Sequence, residues 1–146
     1  MSRRLVVAAA ALAALPLLAT ACGGGSAATE ETSPAVIVHL KGSDVVQVRL
    51  TSEAAEHIGV RTASVRSDGT GGLRVIPYRA LLYDPDGKTW TYTNPKPLVF
   101  QRANIHVARI AGASVVLTKG PPVGTRVVTE GATEIWGVEY GGIKED

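Results

Sequence analysis

The sequence predicts a mostly β domain, a small barrel or sandwich with one short helix, set behind a signal peptide and a flexible tether. Three observations predict it. Short runs rich in Val, Ile, Thr, Tyr and Trp recur between residues 35 and 130, separated by turns built from Gly, Pro and Asp. Beyond the first 21 residues, no run of ten or more carries a helical apolar stripe. The 146 residues are 45% hydrophobic, 19% charged and 5% aromatic, with 16 Gly and 8 Pro. That is too apolar for a disordered chain and too rich in turn formers for a bundle or coiled coil, and the length suits one domain.

Residues 1–21 carry the first segment. Met1-Ser2-Arg3-Arg4 is a short basic start, and Leu5 to Leu18 is an apolar run of 14 residues broken only by Pro16. As a helix that run rises about 21 Å, short of a bilayer's hydrocarbon core of about 30 Å, so it suits a secretory leader better than a permanent span. Small residues Ala19 and Ala21 then precede Cys22, the only cysteine. This arrangement resembles a bacterial lipobox, with Ala19 where Leu is more usual. The resemblance implies a lipid on the Cys22 sulfur, cleavage in front of it, and a mature chain anchored to the bacterial cell membrane on its extracytoplasmic side. Two or three acyl chains, at about 0.8 kcal/mol per buried methylene, make such an anchor essentially permanent. A plain secreted protein, or a buried free cysteine, is the alternative. A single Cys excludes an intrachain disulfide and a multi-Cys metal site.

Residues 22–34, rich in Gly, Ser, Thr and Glu, read as the tether. Its twelve residues after Cys22 span about 20 Å as a flexible chain. The domain, residues 35–146, opens with a β-rich run from Ala35 to Leu40, closed by the turn Lys41-Gly42-Ser43-Asp44. Val45 to Leu50 alternates at the strand period. Thr51 to Gly59 reads as the short helix: Thr51 caps it, Glu53 complements its dipole, Gly59 ends it, and Ala54, Ala55 and Ile58 face inward. Val60 to Arg66 returns as a strand, and Ser67 to Gly72 is a loop. Leu73 to Ile76 is a strand punctuated by Pro77. Asp84-Pro85-Asp86-Gly87 is a hairpin turn, with Gly87 suited to positive φ. In Lys88 to Thr93, Trp90 and Tyr92 share one face and are expected in the core. Leu98 to Ile110 makes one long or bent strand, Ala113 to Thr118 another and Thr125 to Glu130 a third.

The search for chemistry finds little. No nucleophile elbow, phosphate-binding loop, dinucleotide fingerprint or His-Glu-x-x-His motif is present. His39, His57 and His106 are far apart and without partners at metal-ligand spacing, so they read as surface or strand-edge residues. Asp84 and Asp86 lack the later acceptors of a calcium loop. Glu130, Glu134 and Glu139 spread over a strand end and a loop, with no support for paired-carboxylate catalysis. No catalytic residue, metal or cofactor is expected, and the chain is not expected to be an enzyme. Of its 15 Lys and Arg, Arg3 and Arg4 lie in the leader, leaving 13 against 13 acids and no electrostatic case for nucleic acid.

From Val75 onward the order of features resembles a known family. Val75 to Leu81, Asp86 to Tyr92, Phe100-Gln101-Arg102 with Ile105-His106-Val107, Val115 to Gly120 and Val123 to Ala132 look like the C-terminal membrane-proximal region of periplasmic adaptor subunits. These are the membrane-fusion proteins of resistance-nodulation-division and related efflux pumps. Leu50 to Thr62 is similar to the segment that opens many adaptors before their barrel, so the resemblance covers residues 45–140. It departs from the family where a lipoyl domain and helical hairpin would stand, since only the loop at Ser67 to Gly72 is there. Thr91 stands where the family usually has Val. The resemblance implies a non-enzymatic, adaptor-like accessory lipoprotein that lies beside an integral-membrane transporter and cannot bridge an envelope. The alternatives are a ligand-binding lipoprotein using a barrel mouth around Trp90, Tyr92 and Trp136, and a structural envelope protein that engages other proteins or wall polymers.

Overall fold

The computed structural model describes residues 33–69 and 71–141. The expected leader, Cys22 and all but the end of the tether lie outside the described residues. What is described is mostly β, in two open sheets that do not close into a barrel.

Strands β1 (Ala35–His39) and β2 (Val46–Leu50) form the first hairpin over the turn at Gly42, whose φ is +77°. Helix α1 (Ser52–His57) follows as the sequence predicts. Thr51 Oγ1 accepts the Ala54 N–H at 3.1 Å. At the other end Gly59, at φ +67°, donates to Glu56 O and Val60 donates to Ala55 O, which is a Schellman ending. The expected strand from Val60 to Arg66 is two strands, β3 (Arg61–Ser64) and β4 (Arg66–Ser67). β4 pairs with β5 (Arg74–Pro77), so the glycine-rich loop is the tip of a hairpin. A 3-10 turn at Tyr78–Ala80 leads to β6 (Leu82–Tyr83), and the Asp84 to Gly87 turn leads into β7 (Thr89–Lys96). Then come β8 (Val99–Asn104), β9 (His106–Ala111), β10 (Ser114–Lys119) and β11 (Arg126–Glu130).

The larger sheet runs β1-β2-β8-β7-β11-β3 with β6 added beside β7, and the smaller runs β4-β5-β10-β9. The chain passes between them at single residues. Val65 separates β3 from β4, and its backbone is held by Thr125 O at 2.8 Å and Gly124 N at 2.9 Å. Ile105 separates β8 from β9, with its N–H on Thr89 O at 3.0 Å and its carbonyl accepting from Thr89 Oγ1 at 2.6 Å. Both side chains are buried in the core between the sheets, with Ile76, Val115, Leu117 and Val127. A buried β-branched residue with satisfied backbone groups makes a fixed corner. This is why the expected long strand from Leu98 to Ile110 divides at Ile105.

The far face of the larger sheet has its own core. Val48, Leu50, Tyr92, Phe100 and Val128 pack there against Ala132 and Ile135. Val127 and Val128 are neighbours on β11, yet they serve different cores, because successive strand side chains point to opposite faces. The covering element is a second helix, α2 (Ala132–Gly141), where the sequence suggested only loop. Its buried residues are Ala132, Ile135 and Glu139. Those positions follow the helical i, i+3, i+7 spacing, but the third is a carboxylate, and Gly137 lies between the second and third. The stripe therefore does not register as apolar. Among the described residues no helix is long and apolar enough to cross a membrane.

Candidate functional site

α2 is held to the sheet by a buried polar clasp. On β8, Arg102 lies two residues after Phe100 and so shares its inward face, and the register sets it opposite Tyr92 of β7. Glu139 comes down from α2 between them. Arg102 Nε donates to Glu139 Oε1 at 2.8 Å, with the two side chains 11% and 4% exposed. Tyr92 Oη donates to the other carboxylate oxygen. Burial, reinforced by the hydrogen bond to Glu139, pushes the Tyr92 phenol far above its ordinary range, so it stays a neutral donor. The Arg102 guanidinium lies over the rings of Trp90 at 4.6 Å, Tyr140 at 5.1 Å and Trp136 at 5.6 Å. Trp136 and Tyr140, one helical turn apart, stack at 5.1 Å. The cation is thus paired and faced by three rings.

The clasp fixes α2 at one side of a groove whose opposite wall is α1. The groove has a volume of about 490 Å³. Its floor is Ala35, Leu50, Ala54, Ile58 and Val138, the incompletely covered edge of the second core. Its polar lining comes from Glu53 and His57 of α1 and Glu134 of α2. Among the described residues no Lys or Arg lines it. Neither Glu53 nor Glu134 has an ion-pair partner among the described residues, whereas Glu130 is held by Arg61 at 3.1 Å and Arg79 at 3.3 Å. Pro34, the last residue of the expected tether, also lines the groove.

The remaining candidates fall in separate places. His39 ends β1, His57 ends α1 and His106 begins β9, all exposed. Among the described residues no group of three or more His, Cys, Asp or Glu is placed to hold a metal ion. Asp84 does turn chemistry: its carboxylate accepts from Lys88 N at 2.7 Å and Trp90 Nε1 at 2.9 Å. Partial burial alone would raise the Asp84 carboxyl, but those donors, the Asp86 backbone and the Lys88 charge together hold it below its ordinary value. Glu134 and Glu139 sit on α2 instead of a loop, and they point to different tasks. Trp90, Tyr92 and Trp136 do come together, but around Arg102 and Glu139 instead of an open barrel mouth. Tyr92 is in the core as expected, while Trp90 is half-buried at its edge. Sequence reasoning missed Arg102. The available signal was a cation in register with Phe100 on an inward face, which calls for a buried acid.

No protein-family model, curated protein or solved structure matches the chain.

Proposed function

We propose that the protein is a non-enzymatic lipoprotein, anchored through Cys22 to the extracytoplasmic face of a bacterial cell membrane, that serves as an adaptor-like accessory subunit of an efflux or transport complex. The observation that carries this is the chain's one cysteine, placed directly after a basic start, a 14-residue apolar run and Leu18-Ala19-Thr20-Ala21. The adaptor-like order of segments over residues 45–140 supplies the rest. Anchoring supports weak docking, since a tether of about 20 Å keeps the domain at high effective concentration beside any membrane-embedded partner.

The test compares the natural chain with Cys22→Ser. The natural chain stays with membranes through a carbonate wash, copurifies with a transport component, and its deletion sensitises cells to exported compounds. Cys22→Ser is released. Retention of Cys22→Ser, or an unmodified Cys22 by mass spectrometry of the natural protein, refutes the anchor. Absence of both a transport component and a sensitivity phenotype refutes the accessory role. The groove favours a second reading, a lipoprotein that binds a small apolar ligand, because its volume of about 490 Å³ falls within the usual range of about 300–1,000 Å³ for such sites. Ligand-dependent thermal stabilisation is its signature.

A further inference from the structure

The groove between α1 and α2 is an apolar channel that the described residues leave open. Ala35, Ala54, Ile58 and Val138 are half-buried there, packed against the second core on one side and, among the described residues, uncovered on the other. Glu53 and Glu134 stand in its lining without partner cations among the described residues, although the chain outside its leader is balanced, 13 basic against 13 acidic. We infer that this groove docks a segment of a second protein: an amphipathic helix whose apolar face covers Ala54, Ile58 and Val138 and whose Lys or Arg residues meet Glu53 and Glu134. The inference names the partner chemistry of the proposed accessory function and rests on that reading for where the partner comes from.

Charge selects this occupant over others. An anionic lipid surface or a fatty acid carboxylate meets repulsion from the two glutamates. A second copy docking groove to groove sets Glu53 and Glu134 of one protomer against the same residues of its partner, since a twofold contact joins identical patches. A helix with apolar residues at i, i+3, i+4 and i+7 and flanking cations matches both the floor and the lining.

The experiment uses the full lipidated chain in phosphatidylcholine nanodiscs and two fluorescent synthetic helices of about 18 residues, five turns. Both carry the same Leu and Ala face, one with flanking Lys and the other with flanking Glu. At low salt the Lys helix binds about tenfold more tightly than the Glu helix, and raised salt removes most of that preference. Glu53→Gln/Glu134→Gln brings the two helices within about threefold while keeping the circular dichroism melt. Ala54→Arg, on the same criterion of unchanged melting, abolishes binding of the Lys helix. Equal binding of both helices by the natural chain, or a preference unchanged in the double variant, overturns the inference. So does uptake of a small apolar dye that Ala54→Arg abolishes when neither helix binds the natural chain or displaces the dye, which marks a ligand pocket. Binding of the protein to phosphatidylglycerol vesicles that Ala54→Arg abolishes assigns the groove to a membrane surface, and dimerisation that Ala54→Arg abolishes assigns it to a second copy. Either result also overturns the inference. Membrane retention of Cys22→Ser is scored separately, so a failed anchor and a failed groove are told apart.

Discussion

Glu139 is the acid that lets α2 cover the larger sheet, and removing it is the most informative perturbation. The Arg102 and Glu139 side chains are 11% and 4% exposed and 2.8 Å apart. Taking one charge away leaves the other buried and unpaired, which costs about 3–5 kcal/mol. Set against the usual total of about 5–15 kcal/mol for a domain, Glu139→Leu or Arg102→Met alone removes a large share of stability. With a typical slope for a small domain, the urea midpoint falls by about 2 M. Replacing the whole constellation is a different matter. In Arg102→Met/Glu139→Leu/Tyr92→Phe no charge and no phenol is left without a partner, and apolar packing of similar volume replaces the clasp. Such replacements are often neutral or stabilising, so the triple variant is expected within about 1.5 kcal/mol of the natural chain. The assay is urea unfolding followed by tryptophan fluorescence, because Trp90 and Trp136 both lie over Arg102 and report its loss directly. Single variants that each cost under about 1 kcal/mol, or a triple variant costing the sum of the singles, refute the argument that these residues act as a buried unit.

Thr91 is fully buried and its hydroxyl has no hydrogen-bond partner among the described residues. Thr91→Val is therefore expected to stabilise the domain by about 1–2 kcal/mol, read as a higher urea midpoint. The Asp84 carboxyl is held below its ordinary value of 3.8, so its contribution is present above that pH and is lost as pH falls through the lower folded value. Asp84→Asn should accordingly be less stable than the natural chain at neutral pH, with the gap narrowing below about pH 4; a gap that widens in acid contradicts the sign. Gly131 sits at φ +81° with Val60 Cγ2 only 3.2 Å from where a Cβ would go. Gly131→Ala should lower stability by about 1–2 kcal/mol, measured in the same unfolding assay.

Local signals made most of the fold legible. Thr51 and Gly59 bracket α1 by cap chemistry that needs no tertiary contact, and Asp84 to Gly87 forms its turn from side-chain acceptors and one positive φ. Alternation in Val46 to Leu50 and in β7 identifies strands because one face is packed. The failures occur where tertiary structure decides. Val65 and Ile105 look like ordinary strand residues, and only the presence of a second sheet makes them corners. α2 was hidden because its inward stripe ends in Glu139, a residue whose burial makes sense only once Arg102 and Tyr92 face it across the layer. The groove was illegible for the same reason, since α1 alone is visible in the sequence and its opposite wall is not.

The clasp and the groove are therefore one construction. Ala132 and Ile135 bury against the sheet through one side of α2, while Glu134 and Val138 of the same helix are left to the groove. Were the inward stripe fully apolar, α2 would be held by burial alone, with nothing to define its rotation. A carboxylate fixed by Arg102 Nε on one oxygen and by Tyr92 Oη on the other sets that rotation, because charge-assisted hydrogen bonds are directional where apolar contact is not. Polar fixation of this kind costs stability relative to apolar packing and gains orientation. It follows that the triple variant expected to be as stable as the natural chain should also hold Glu134 less firmly against the groove. Stability and docking then separate: the Lys helix should bind the triple variant more weakly although its urea midpoint stays within about 0.7 M of the natural chain's, whereas equal binding would mean that apolar packing alone suffices to orient α2.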